Sequence, residues 1–87
     1  MWSVEFSTDA ARDLRRLDPQ VTREILAYLR SRIAVDADPR RFGKGLRGEL
    51  QGLWRYRVGD YRLICLIEDE KLTVLVLRAA HRREVYG

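Results

Sequence analysis

Apolar and polar residues alternate at the start of the chain, and a helical pattern follows. Trp2-Ser-Val-Glu-Phe6 alternates in this way, which predicts a strand because successive side chains of a strand point to opposite faces. Ser7 is then a candidate N-cap, with Asp9 in the first helical turn, where a negative charge is favourable. The next apolar residues recur at helical spacing: Ala10, Ala11, Leu14 and Leu17. We therefore expect a first helix directly after this strand.

A second helix is predicted immediately after the first. Asp18-Pro19 supplies an N-cap residue and a proline at the first helical position, where its missing N–H is not needed. Apolar residues then form one helical stripe: Val21, Ile25, Leu26, Leu29 and Ile33. Asp38-Pro39 ends this helix, because the residue before a proline disfavours helical dihedral angles. Residues 40–45, rich in glycine and cations, are expected to form a loop.

The second half of the chain predicts three antiparallel strands. Gly59-Asp60 is typical of a two-residue hairpin turn, and it joins a strand over Trp54–Val58 to another over Tyr61–Ile67. The latter is almost wholly apolar, which predicts a central position in the sheet. Leu72–Leu77 is the last predicted strand. We expect one α+β domain over residues 1–87, with the order β-α-α-β-β-β and two antiparallel helices packed on one face of a small, mainly antiparallel four-stranded sheet.

The hairpin turn fixes a register that brings arginines together. A two-residue turn places Val58 opposite Tyr61, Arg57 opposite Arg62 and Arg55 opposite Ile64. The three arginines then share one face of the sheet, since side chains alternate along a strand. Like charges directly opposite each other are unfavourable, so this face predicts a bound anion, with phosphate the natural candidate.

The net charge of +4 supports a polyanionic partner. Positive and negative residues balance in residues 1–37 and in residues 63–87, whereas residues 38–62 hold seven Lys or Arg against three acids. The whole excess thus lies in the segment that contains the hairpin. A local basic excess favours nucleic acid, although a solvated arginine-rich surface remains the alternative.

The remaining composition excludes several classes of protein. Cys65 is the single cysteine, so no intramolecular disulfide framework or cysteine-cluster zinc site is expected, and we interpret it as a small buried residue. No apolar run is long enough to span a membrane, and the N-terminus lacks the pattern of a signal peptide. We expect a cytoplasmic protein that does not contact a membrane.

The arginines can hold a phosphodiester, but they cannot serve as a general base because arginine stays protonated in proteins. His81, Glu84 and Tyr86 are the nearest groups able to move a proton. A two-residue Asp69-Glu70 turn would place Arg62 opposite Leu77 and bring His81 and Arg82 near the Gly59-Asp60 end. One histidine with scattered acids gives no metal-ligand spacing, so no metal is expected. The residues alone predict a small basic domain with an anion-binding sheet face.

Three motifs give the sequence a resemblance that covers essentially the whole chain. Leu46-Arg-Gly48, Gly59-Asp-Tyr-Arg-Leu63 and His81-Arg-Arg-Glu-Val-Tyr86, in this order of elements, closely resemble the RelE toxins of bacterial toxin–antitoxin pairs. The resemblance implies a ribosome-dependent, metal-independent endoribonuclease without cofactors. Such a toxin cuts mRNA in the ribosomal A site by attack of the 2′-hydroxyl on the adjacent phosphate, and it leaves a 2′,3′-cyclic phosphate. It also implies a cognate antitoxin as partner in a hetero-oligomer.

The resemblance assigns roles to individual residues. It implies catalytic roles for Arg62, Arg82, Tyr86 and His81. It implies phosphate binding by Arg55 and Arg57, and we expect Lys44 and Arg47 to bind RNA phosphate as well. The best-known member has lysines on the second strand where this chain has arginines, which shifts the expected general base toward Tyr86 or His81.

Two alternatives remain open at this stage. The ParE toxins share this fold and inhibit DNA gyrase without nuclease activity, and the tyrosine-bearing end over His81–Tyr86 favours the RelE branch over them. A non-catalytic RNA-binding module would need only the basic face.

Overall fold

A five-stranded sheet with two helices on one face forms the framework of the protein, as seen in a computed structural model that describes residues 1–84. Its elements are β1 (Ser3–Phe6), α1 (Thr8–Arg16), α2 (Pro19–Tyr28), β2 (Lys44–Gly45), β3 (Trp54–Val58), β4 (Tyr61–Glu68) and β5 (Thr73–His81). The strand order is β1-β5-β4-β3-β2, with β1 parallel to β5 and all other pairs antiparallel. The predicted α+β class, the helical layer and the central position of β4 are confirmed.

Both helices begin at the predicted residues. The Ser7 hydroxyl oxygen accepts a hydrogen bond from the Ala10 N–H at 3.0 Å, and the Asp18 carboxylate accepts one from the Gln20 N–H at 2.8 Å. Each satisfies an N–H that the helix itself leaves unpaired. The end of the second helix differs from the prediction. After Tyr28 the helix continues as a π-helical turn over Leu29–Ile33, so it stops five residues before Asp38.

The sheet has a fifth strand that the sequence pattern does not predict. Lys44 and Gly45 pair antiparallel with Arg55 and Trp54, in a segment that was expected to be a loop. The expected count of four strands is therefore wrong by one. A two-residue strand is too short to show any alternation of apolar and polar residues, so periodicity carries no signal for it.

The connection from β4 to β5 is longer than predicted and changes the register. The expected two-residue turn is replaced by a 3₁₀ turn over Asp69–Lys71. Leu72 follows this turn and has a left-handed φ of 48°. Arg62 consequently lies opposite Ala80 and not opposite Leu77. The observed partner of Arg62 thus lies three residues further along β5 than the predicted one, and the longer turn accounts for two of these three residues. The third comes from a β-bulge at Leu77, since Cys65 pairs with Val76 but Ile64 pairs with Arg78.

The core lies between the helices and one face of the sheet. Its buried residues are Ala10, Ile25, Leu29, Ile33, Tyr56, Leu63, Cys65, Val74, Val76 and Ala79. Cys65 is fully buried, which raises the pKa of its thiol and confirms the interpretation of Cys65 as a buried residue. Tyr56 is also fully buried, and its hydroxyl donates to the Pro39 carbonyl at 2.8 Å. Within residues 1–84, no helix has the length and apolar character that a membrane span needs.

Two polar contacts from the first helical segment hold β5 at its bulge. The Ser7 hydroxyl donates to the Leu77 carbonyl at 2.9 Å, so the oxygen of the bulged residue is satisfied. The Asp13 carboxylate accepts from the Ala79 N–H at 2.9 Å and from Arg78 Nε at 2.8 Å. Partial burial opposes ionisation of Asp13, but these two donors outweigh it and lower the pKa of that carboxyl.

Replacing Asp13 by asparagine should remove a pH-dependent part of the stability. The lowered pKa means that ionised Asp13 stabilises the folded state above its ordinary value of 3.8, and that this contribution is lost as the pH falls below it. We expect Asp13→Asn to lower the free energy of unfolding by about 1 kcal/mol or more at pH 7, and by much less near pH 3. Urea unfolding at the two pH values measures the difference.

Asp36→Asn is the matched control, because it removes the same charge from a carboxylate that is 91% exposed. An equal loss of stability at pH 7 and pH 3 in Asp13→Asn would contradict the electrostatic explanation.

Candidate functional site

The β3–β4 hairpin places three arginines on the face of the sheet that points away from the helices. The structure confirms the predicted register: Arg57 lies opposite Arg62, and Arg55 lies opposite Ile64. The turn needs a left-handed residue, and Gly59 supplies it with a φ of 57°. On the other face Tyr56 pairs with Leu63, both fully buried. Burial of that face holds the arginines in place.

Arg82 joins the three hairpin arginines at the end of β5. Its backbone N–H donates to the Asp60 carbonyl at 2.7 Å, and its Nε lies 3.9 Å from the Asp60 carboxylate. Ala80 pairs with Arg62. Because side chains alternate, the side chain of Arg82, two residues after Ala80, continues on the same side of the sheet as Arg62. We call Arg55, Arg57, Arg62 and Arg82 the cationic face.

Arg62 lies among the other cations and shows their effect. Partial desolvation and the nearby charges of Arg57, Arg55 and Arg82 hold the pKa of its guanidinium below the usual value, with Asp60 opposing them weakly. One nitrogen, Nη1, donates to the Gly59 and Tyr61 carbonyls, each at 3.0 Å. Its remaining donors have no partner among residues 1–84. An incoming phosphate would relieve the repulsion and accept these donors.

A groove beside the cationic face contains the other predicted phosphate-binding residues. It has a volume of about 920 Å³ and its cations are Lys44, Arg47 and Arg55. Lys44 reaches this position because β2 pairs it with Arg55. Glu49 also lines the groove, so the surface is not uniformly positive.

The backbone of His81 lies near the Gly59–Asp60 end of the sheet, as predicted, and its ring lies on the face away from the arginines. It pairs with Tyr61 at the Gly59–Asp60 end, and the two rings meet edge to face with centroids 5.4 Å apart. The bulge at Leu77 shifts the alternation by one residue, so the ring lies on the face opposite to Arg62. Its Nδ1 accepts from the Arg83 N–H at 3.2 Å. The expectation that His81 reaches the cationic face is not met by this geometry.

Tyr86, the other predicted proton-transfer residue, lies outside the described residues. Residues 1–84 contain no cluster of three or more His, Cys, Asp or Glu side chains able to hold a metal ion. The described part of the site has the charge to bind and neutralise phosphate.

Gly43 brings β2 against β3, and no pattern in the sequence points to this role. Its φ is +74°, and a Cβ atom there would lie 2.2 Å from the Arg55 carbonyl oxygen. Trp54 Nε1 donates to the Phe42 carbonyl at 2.7 Å and holds the same approach. Asp60 was likewise assigned only to the turn, although it is the residue that joins the turn to Arg82. Neither contact produces a periodic pattern of apolar and polar residues in the sequence.

Comparisons with known proteins identify the family. The sequence model described as "ParE toxin of type II toxin-antitoxin system, parDE" matches residues 4–86. Toxin RelG of Mycobacterium tuberculosis is 39% identical over 85 residues, which is 98% of this chain and 95% of the relative. The chain belongs to the RelE/ParE superfamily of type II toxins.

Other members of this toxin superfamily agree with the assignment. Toxin RelE of the same organism is 33% identical over 98% of this chain and 86% of its own length. The crystal structure of the M. tuberculosis toxin–antitoxin complex RelBE2 contains a chain with 40% identity and a TM-score of 0.85, covering 93% of this toxin and 98% of that chain. The crystal structure of the archaeal RelE–RelB complex from Pyrococcus horikoshii contains a chain with a TM-score of 0.69 at 22% identity, covering 97% of this toxin and 98% of that chain, which supports the fold alone.

Substitution of Gly43 tests the contact that places Lys44 at the site. Gly43→Ala adds both a left-handed backbone penalty and a collision with the Arg55 carbonyl, so we expect a loss of about 2–5 kcal/mol of stability. Gly48→Ala is the matched control, since Gly48 has a φ of +65° with nothing within 4 Å of the added Cβ. Denaturant unfolding of both variants separates the two effects, and equal losses would contradict the collision.

Proposed function

We propose that this toxin is an endoribonuclease that cuts mRNA in the ribosomal A site without a metal ion and thereby inhibits translation. The observation that carries the proposal is the cationic face, on which Arg62 and Arg82 come together with Arg55 and Arg57. Relatives named RelG and RelE, 39% and 33% identical, support the choice of the RelE branch.

The proposed reaction is an internal transesterification. The 2′-oxygen attacks the adjacent phosphorus, the bond from phosphorus to the 5′-oxygen breaks, and a 2′,3′-cyclic phosphate remains. Negative charge on the phosphoryl oxygens increases in the transition state, and Arg62 and Arg82 are proposed to stabilise it. Arg55, Arg57, Lys44 and Arg47 are proposed to hold the flanking phosphates, which orients the RNA for attack.

Two protons must also move, one from the 2′-hydroxyl and one to the leaving 5′-oxygen. Arginine does not give up its proton, even where neighbouring cations lower its pKa as they do for Arg62. We assign proton transfer to Tyr86. The ring of His81 packs on Tyr61 on the opposite face, so we assign His81 a positioning role: through Arg83 it holds the first turn after β5.

A cognate antitoxin is the proposed protein partner. Two solved structures similar to this toxin, from M. tuberculosis and P. horikoshii, are of toxin–antitoxin complexes. An acidic, partly helical antitoxin segment would complement the cationic face and block its access to RNA.

Inhibition of DNA gyrase is the second candidate function. The matching family description names ParE, and this observation favours that alternative. A gyrase inhibitor needs no proton-transfer residue, and its action would leave mRNA intact while inducing a DNA-damage response.

Removing either central arginine should abolish most of the cleavage. We expect Arg62→Ala and Arg82→Ala each to slow single-turnover cleavage by about 100-fold or more, because each removes a charge that stabilises the transition state. Primer extension on mRNA after induction of wild type and variants measures this. Neither variant should melt at a markedly lower temperature, since each relieves repulsion among like charges.

Arg23→Ala is the matched control, because it removes an exposed arginine from α2, away from the cationic face. Full toxicity of both Arg62→Ala and Arg82→Ala would contradict the mechanism. Intact mRNA together with a DNA-damage response in cells producing the wild type would decide for gyrase inhibition.

The two proton-transfer candidates separate by their variants. Tyr86→Phe keeps the ring and removes the ionisable hydroxyl, so we expect a loss of about 100-fold or more in the single-turnover rate. His81→Gln keeps a hydrogen-bond acceptor for Arg83 and should retain most of the rate. The reverse result, with a normal rate for Tyr86→Phe, would move the chemistry from Tyr86 to His81.

A further inference from the structure

A cleft opens at the free edge of β3, just beyond the point where β2 stops. Among residues 1–84, β2 pairs only with Trp54 and Arg55, so Tyr56–Val58 have no strand partner on that side within this part of the chain. The cleft has a volume of about 450 Å³. Its lining consists of two aromatic rings, three cations and one glycine: Tyr28, Phe42, Lys44, Arg55, Arg57 and Gly43. Apolar ring surface and positive charge therefore border the same space.

Two further arginines lie against the aromatic rings that line the cleft. The Tyr28 and Phe42 rings meet edge to face with centroids 6.4 Å apart. The guanidinium groups of Arg32 and Arg41 lie over the Phe42 ring, with Cζ at 5.4 and 4.8 Å from its centroid. Guanidinium groups over aromatic rings add positive charge beside the surface on which a nucleic-acid base can lie.

Backbone carbonyls hold the Arg41 side chain in place, and the Arg32 guanidinium lies over the Tyr28 and Phe42 rings. Arg41 donates to the Asp38 carbonyl at 2.8 Å and to the Arg32 carbonyl at 2.7 Å. In the part of the chain that the structure describes, neither Arg32 nor Arg41 forms an ion pair with a carboxylate. Their charges are thus oriented by hydrogen bonds and stacking but left uncompensated, which suits an anionic ligand.

The cleft is continuous with the cationic face. Arg55 and Arg57 belong to both, because they stand on the strand whose edge forms the cleft. Lys44 lies directly opposite Arg55 and extends the positive charge to the cleft mouth. A polyanion whose reacting phosphate lies at Arg62 would have its neighbouring phosphates led along β3 toward Tyr28 and Phe42.

We infer that the cleft is a second nucleotide subsite, which takes one unpaired nucleotide on one side of the scissile phosphate. Lys44 and Arg57 bind its phosphate, and its base lies against the rings of Tyr28 and Phe42. Single-stranded RNA fits this combination, because its bases are free to stack on aromatic side chains while its backbone follows cations. The inference rests on the proposed nuclease function and adds to it a site for a flanking base.

Photocrosslinking on ribosomes tests the position of the base. Ribosomes are programmed with an mRNA that carries a 2′-O-methyl group at the scissile nucleotide, so that attack is blocked, and 5-iodouridine at one flanking position at a time. After irradiation with wild-type toxin, mass spectrometry identifies the crosslinked residue. We expect a crosslink to Tyr28 or Phe42 from one flanking position only.

Leucine variants test the contribution of the rings. We expect Phe42→Leu and Tyr28→Leu to raise about tenfold the toxin concentration needed for half-maximal single-turnover cleavage, with the rate at saturation little changed. Trp2→Leu is the control for losing an aromatic residue outside the cleft, and thermal melting shows whether each variant is folded.

These experiments distinguish the subsite proposal from the nuclease proposal on which it rests. A wild type that cuts mRNA but gives no crosslink to the cleft would overturn the subsite and leave the nuclease proposal intact. The subsite is also overturned if the leucine variants cut normally and lose only antitoxin binding, since the cleft would then serve a protein partner. A wild type that cuts no mRNA would overturn both proposals.

Discussion

One extra residue in β5 decides which side chains meet at the cationic face. Leu77 bulges out of the ladder between Val76 and Arg78, and from that point the alternation of the strand is reversed. Ala79 therefore faces the core, and Arg82 continues on the side of Arg62. Without the bulge, the odd-numbered residues after it would lie beside Arg62. The positions of His81 at the end of this strand and of Arg82 directly after it both follow from this one extra residue.

Much of the fold and half of the site could be predicted from the sequence because strong local signals carry them. Helix starts depend on side chains next to the helix, as at Ser7 and Asp18, and these are visible in the sequence. The pairing of Arg57 with Arg62 depends only on a two-residue turn and on alternation. The repulsion between Arg57 and Arg62 does not prevent this pairing, because Tyr56 and Leu63 are buried on the opposite face. Their burial fixes the register far more strongly than the repulsion opposes it.

The features that could not be predicted depend on contacts between distant residues. The bulge is held by the Ser7 hydroxyl on the Leu77 carbonyl and by Asp13 on the Ala79 N–H, groups 66 to 70 residues apart in the chain. The short strand β2 depends on a glycine that lets one backbone approach another. Neither contact produces a periodic pattern. The face on which the His81 side chain lies requires the bulge as well as the turn, so the sequence pattern does not predict it.

The parallel pairing of β1 with β5 has a consequence for how the toxin is made. β5 lies between β1 and β4 in the sheet, and it is the last of the described strands to be synthesised. Until β5 has left the ribosome, Ser7 and Asp13 have no β5 backbone to bind, and β4 of the hairpin has no strand partner on its other side. The arginines of a nascent chain are therefore present but not yet assembled with Arg82. A protein proposed to halt translation would thus become active only after its β5 segment has been synthesised.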